Sequence, residues 1–222
     1  MHRHKVIGIA LCLSIALPSL AGCGLLPERD TAIISNYTIA PEIGTQTAAA
    51  RCEQVLRMRN VAVDPPWATS DMLYSRTEHQ ISSFAYHRWS ASPATLLGNA
   101  LTEALQGSGL YRGVLGPTDP GSSDLILAVS LDKGPIQVFP PKGANAKGEP
   151  ASSHEVMTLS AALIDAVSGK LLANHSFRDT QAAAPNPYGG VVAANAIAGR
   201  LIGRIMDWLA QGNAAIAACK GN

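Results

Sequence analysis

Residues 72–115 read MLYSRTEHQISSFAYHRWSASPATLLGNALTEALQGSGLYRGVL, and a change of period inside this stretch decides the fold class. Met72 to Trp89 is rich in aromatic and β-branched residues around a polar Thr77-Glu78-His79, the pattern of two short strands joined by a turn. Phe84 and Tyr86 are two apart, so they share one strand face, either as core or as a lipid- or partner-binding patch. At Ser92 the period becomes helical. Ser92 is a good N-cap, and Pro93 occupies the first helical position, where its missing N–H costs nothing. Leu96, Leu97, Ala100, Leu101, Ala104 and Leu105 form one stripe, and Gly107 and Gly109 end it.

Upstream, QVLRMRNVAV (54–63) alternates as a strand until Asp64-Pro65-Pro66 stops it. Downstream, DLILAVSL (124–131) is a buried strand running towards GPIQVF, followed by loop composition over 140–153. EVMTLSAALIDA and KLLANHSF form a hairpin across Val167-Ser168-Gly169. A Pro/Gly/Ala-rich linker is expected over 179–190. A second helix then carries Val191, Ala194, Ala198, Leu201, Ile205 and Trp208 on one stripe. Strands, helix, strands, helix predict a single α+β domain: a mostly antiparallel sheet with two amphipathic helices packed on one face. Gly199 and Gly203 are four apart, a spacing that suits tight packing on the sheet or a dimer seam.

The N-terminus reads as an address. Arg3 and Lys5 precede an apolar run from Val6 to Leu20, too short to span a membrane comfortably and typical of a secretory signal. Leu20-Ala21-Gly22-Cys23 resembles the bacterial lipobox, which makes Cys23 the expected lipidation site. Two or more acyl chains anchor a protein stably, whereas one does so only marginally. Gly24 stands where an Asp would favour inner-membrane retention in many enteric-type bacteria, so the outer membrane, facing the periplasm, is expected. The organisation is then 1–22 signal peptide, 23–42 lipidated cysteine and tether, and 43–222 folded domain. Removing residues 1–22 leaves 200 residues with a formal balance of −1, and no basic footprint for nucleic acid. Cys52 and Cys219 remain in an oxidising compartment, as a disulfide or as two thiols.

No catalytic pattern emerges. His154-Glu155 begins like H-E-x-x-H, but Thr158 replaces the second histidine and the segment alternates like a strand. His79, His87 and His175 are scattered, so no metal is assigned. The sequence shows no phosphate loop and no nucleophile elbow, and no cofactor or catalytic residue is expected. Ile136, Val138 and Phe139, between Pro135 and Pro140-Pro141, are the candidate partner-binding residues, as an exposed apolar loop entrance or as a sheet edge.

Leu73-Tyr74-Ser75-Arg76, Tyr86, Arg88, Trp89, Pro93 and Gly109-Leu110-Tyr111, with a last helix through Ala198, Leu201, Ile205, Trp208 and Leu209, carry a resemblance. The chain resembles the ABC-type transport auxiliary lipoproteins, the group that includes paraquat-inducible protein C. The family's opening P-x-Y-L-D is only loosely echoed by Pro66-Trp67 and Asp71. The resemblance implies a fold similar to the N-terminal domain of the Tol-system propeller protein. It also implies a non-catalytic lipoprotein working beside an ABC ATPase, a permease and an MlaD-like (mammalian-cell-entry-type) subunit that moves phospholipid or other hydrophobic molecules. Homo-oligomerisation stays open. The alternative is an envelope-assembly or structural lipoprotein that binds another outer-membrane component and has no transport role.

Overall fold

The computed structural model describes residues 33–44, 52–140 and 152–211. Within them the elements run β1 (Ser35–Tyr37), β2 (Cys52–Met58), β3 (Ala62–Val63), β4 (Asp71–Ser75), β5 (Ser82–Trp89), α1 (Pro93–Ser108), β6 (Tyr111–Leu115), β7 (Leu125–Val138), β8 (Ser153–Asp165), β9 (Leu171–Ala183) and α2 (Pro187–Gln211). All the strands join one sheet. The expected α+β architecture is present, with two differences at its joints. The strand expected over 54–63 breaks at Arg59 into β2 and β3, and the expected linker 179–190 shrinks to residues 184–186, because β9 runs on to Ala183.

β7 organises the sheet. One edge pairs antiparallel with β8 from Leu125↔Asp165 to Val138↔His154, and β8 pairs antiparallel with β9. The other edge is shared by three strands, all parallel to it: β2 at Leu125–Leu127, β3 at Ser130–Leu131 and β4 at Ile136–Val138. β6 lies outside β2, while β5 and then β1 lie outside β4. The long ladders are therefore antiparallel and the short ones, β4–β5 apart, parallel.

Alternation explains which face is covered. Leu125, Leu127, Val129 and Leu131 of β7 and Met157, Leu159, Ala161 and Leu163 of β8 are buried in one core with Leu97, Leu101 and Leu105 of α1 and Ala194, Ile197, Leu201 and Ile205 of α2. Each fully buried Leu or Ile contributes about 1.5–3 kcal/mol. Both helix stripes thus find their partner on the same sheet face. Ser92 Oγ accepts from the Thr95 N–H at 3.3 Å and Gly109 closes α1 at φ 69°, as its sequence signals. On the edge strand β9, the Arg178 carbonyl accepts from Arg204 at 3.0 Å and the Thr180 N–H donates to Asp179 at 2.8 Å. Those backbone groups are thereby withheld from a foreign strand.

Gly199 has a reason the sequence did not show. A Cβ there would stand 2.9 Å from the Glu42 carbonyl oxygen, because the segment after β1 runs across α2 rather than because the helix presses on the sheet. Asn195, one turn earlier, holds the same segment by accepting from the Ala40 N–H at 2.8 Å and donating to the Thr38 carbonyl at 3.1 Å. Among the described residues a Cβ on Gly203 would meet nothing within 4 Å. Gly203→Ala should therefore gain helix propensity, roughly 1 kcal/mol. Gly199→Ala should lose stability despite the same gain, and thermal melting of the two variants checks the opposite signs.

Candidate functional site

The end of the sheet where β7 finishes collects most of the unusual chemistry. β4 ends there beside Val138, the β4–β5 turn follows, β8 begins, β9 ends and α2 starts. Gln137, Ser153 and Glu155, the buried polar side chains recorded among the described residues, all lie at this end. Gln137 and Glu155 face each other across the β7–β8 ladder, and Ser153 precedes Glu155 on the same strand face.

Their bonds tie strand ends to the helix start. Gln137 Nε2 donates to Ser153 Oγ at 2.8 Å and to the Ala184 carbonyl at 2.9 Å. Ser153 Oγ in turn donates to the Ala183 carbonyl at 3.0 Å. Asn186 caps α2 through its Oδ1, which accepts from the Gly189 N–H at 2.8 Å, and its carbonyl takes the Gly190 N–H at 3.3 Å. A Cβ on Gly190 would stand 2.9 Å from Gln137 Oε1 and 3.3 Å from Glu155 Oε2, so any larger residue there has to displace these buried side chains.

Burial pushes the Glu155 carboxyl well above the usual carboxylate range. A helix N-terminus favours the carboxylate by at most ~2 kcal/mol, and two of its N–H groups are already taken by Asn186, so desolvation wins. A neutral carboxyl has an O–H to give. Gln137 Oε1, directly across the ladder, is a buried acceptor without a hydrogen-bond partner among the described residues.

Beside the polar group runs a row of rings. Tyr188 of α2 stands 6.2 Å from Tyr37 of β1, which stacks on His87 of β5 at 5.9 Å, with the hydroxyl 3.2 Å from Nδ1. Phe84 follows at 6.2 Å, then Tyr74 of β4 at 4.5 Å and Phe139 at 6.0 Å. Arg76 lies over Phe139 at 4.4 Å and over Tyr74 at 5.4 Å. The row binds β1 to the rest of the fold. It contains Phe84 without Tyr86: the β4–β5 register shifts between Asp71 and Leu73, and this irregularity in β5 breaks the period of two, leaving Tyr86 55% exposed.

The other expected residues are dispersed. Ile136 and Phe139 are buried, at 3% and 7% exposure, because β7 continues through Val138 between β4 and β8. An exposed loop entrance at these positions is therefore corrected to a sheet interior, with Val138 partly exposed. Cys52 is buried at the start of β2, its N–H donating to the Leu110 carbonyl at 2.7 Å. Cys23 and Cys219 lie outside the described residues. His154 and Glu155 are consecutive in a strand and point to opposite faces, His154 exposed and Glu155 buried. Among the described residues no group of His, Cys, Asp and Glu could hold a metal, and no helix is long and apolar enough to cross a membrane.

On the face away from the helices, two adjoining clefts of about 480 and 550 Å³ open over Ala62, Ala128 and Val129. Their walls are mostly small residues, including Ser130, Ser160, Ala162 and Ser176. Arg57 at one end is already committed, donating to the Gly116, Asp119 and Gly121 carbonyls at 3.1, 2.9 and 2.6 Å. Arg59, Asn60, Asn174 and His175 also line them.

The polar cluster makes a pH prediction. With its folded pKa raised, Glu155 supports the fold fully below the ordinary carboxyl range, and that support is lost as pH climbs from there to the raised value. Glu155→Gln should raise the thermal midpoint at neutral pH, by about 2–4 °C per kcal/mol relieved at this size, and converge with the parent in acid. Equal pH profiles for the two proteins would show Glu155 charged and satisfied.

No curated protein matches the chain. Among solved structures, a protein from Xanthomonas campestris, XCC0632, shares the fold with a TM-score of 0.67 at 12% identity, covering 79% of this chain and 94% of that one. A neuraminyllactose-binding hemagglutinin homolog from Helicobacter pylori gives a TM-score of 0.51 at 8% identity, covering 81% and 94%. At such identities the likeness is one of fold. The family model described as the ABC-type transport auxiliary lipoprotein component matches residues 37–205, from β1 to the fifth turn of α2. On that match the chain belongs to the ABC-type transport auxiliary lipoprotein family.

Proposed function

We propose that the chain is a docking lipoprotein: acyl chains on Cys23 hold the domain on the periplasmic side of the outer membrane, where it captures an MlaD-type subunit of an ABC transporter for phospholipid or another hydrophobic molecule. The observation that carries this reading is the family match over 37–205, which spans nearly all of the described fold. The residues support it. The lipobox at Leu20–Cys23 supplies an anchor, and the described residues offer a packed scaffold in which no group of His, Cys, Asp and Glu could hold a metal.

Anchoring suits a weak binder. Confining the domain to a membrane surface raises its effective concentration for a subunit reaching across the periplasm, so a modest interface suffices. We also propose that Cys52 pairs with Cys219, which would fasten the first long strand to the chain after α2. In the entropic account a loop of that length restricts the unfolded chain by roughly 4–5 kcal/mol.

One preparation tests both parts. The tagged full-length protein, extracted from its own envelope, should carry diacylglycerol on Cys23, lack two hydrogens without reductant, and bring an MlaD-type subunit with it. Consistent recovery of Tol or peptidoglycan components alone would favour the envelope-assembly reading and end the transport one.

A further inference from the structure

Eight large apolar side chains are substantially exposed among the described residues, and six of them lie on segments that meet at one end of the sheet. Ile33 (88%), Ile34 (47%), Ile81 (45%), Tyr86 (55%), Tyr188 (63%) and Val192 (55%) belong to the end where β7 finishes, while Val167 and Leu171 lie at the β8–β9 turn at the other end. The topology explains the grouping. Parallel pairing of Ser35 with His87 places Ile34 beside Tyr86 on one sheet face. Ile81 stands in the β4–β5 turn. Tyr188 and Val192 are one helical turn apart at the start of α2, and the Tyr188 ring reaches Tyr37 of β1. Isolated exposed apolar residues are ordinary on a protein surface, but several gathered at one end of a domain point to a contact.

The chain itself indicates what that contact is. Ile33 follows Cys23 by ten residues, so the fully stretched tether spans roughly 35 Å and a relaxed one about 17 Å. With acyl chains on Cys23 the chain would enter the domain within that distance of the bilayer, at the β1 edge and at the same end of the sheet as these six side chains. Tyrosine suits that depth, with an apolar ring for the acyl boundary and a hydroxyl for the headgroups. Arg76, exposed above Tyr74 and Phe139, presents a guanidinium at the same level for lipid phosphate.

We infer that this end of the domain lies on the bilayer surface, with Ile33, Ile34, Tyr86 and Tyr188 in the headgroup region. This rests on the reading of Cys23 as the lipidated residue. Anchor and patch then do different things. The acyl chains decide which membrane holds the protein, and the patch decides which way up the domain stands. Because the tether already confines the patch near the surface, a few partly inserted side chains suffice to orient it. The β8–β9 turn points away, towards the periplasm.

The test uses the acylated full-length chain in vesicles of phosphatidylethanolamine and phosphatidylglycerol, with or without brominated acyl chains that quench tryptophan on contact. Tyr86→Trp, Tyr188→Trp and Val167→Trp are compared one at a time over the background of Trp67, Trp89 and Trp208. Tryptophans introduced at 86 and 188 should be quenched roughly twofold, as expected for rings lodged at the headgroup–acyl boundary, and one at 167 should not. Acylated, vesicle-bound protein with no added quenching at 86 and 188, or with equal quenching at 167, overturns the inference and leaves the anchor intact. A preparation whose Cys23 carries no acyl mass overturns both.

Discussion

The pairing of β7 with β8 along its whole length is the constraint from which the rest of the structure follows. It fixes a rail with Leu125, Leu127, Val129 and Leu131 turned to one side, and it leaves the other edge of β7 free for three successive parallel strands. α1 and α2 then have one apolar face to cover, and both cover it. The same rail also sets the ends. Because β4 runs parallel to β7 and finishes level with it, the tether strand, the ring row, the buried polar group and the start of α2 converge at one end.

Local signals in the sequence reported the elements well. Ser92-Pro93 and Gly109 bracket α1 because capping chemistry is contained within a few residues, and Val167-Ser168-Gly169 marks the β8–β9 turn for the same reason. Partnerships were less legible. The parallel contacts of β2, β3 and β4 with β7 join segments far apart in sequence, and a period of two looks alike in either kind of sheet. The irregularity in β5 turned Tyr86 outward against its expected phase, and the run that looked like a loop entrance at Ile136–Phe139 is held inside the sheet by neighbours on both sides.

The end of the sheet was the least visible feature of all. Gln137, Ser153 and Glu155 lie in two strands that otherwise alternate like core, and nothing local predicts that their side chains meet the start of α2. The rings from Tyr188 to Phe139 come from four elements and the residue that follows β7. Gly199 is explained only by the chain of residues 41–42 crossing it. The bonds of Gln137 Nε2 and Ser153 Oγ tie the strand ends to the segment before α2, at the end where Tyr37 of β1 meets Tyr188. The family match, an auxiliary lipoprotein component of ABC-type transport, spans this junction and the sheet behind it.

In the inferred orientation the sheet stands upright on the membrane with the finishing end of β7 against it. Neutron reflectometry of the acylated protein on a supported bilayer reads this directly. A 14-residue strand at about 3.3 Å per residue is roughly 45 Å long, so an upright domain forms a protein layer of about that thickness touching the headgroups. A layer about half as thick, or one separated from the headgroups by a water gap as wide as an extended tether, would contradict it.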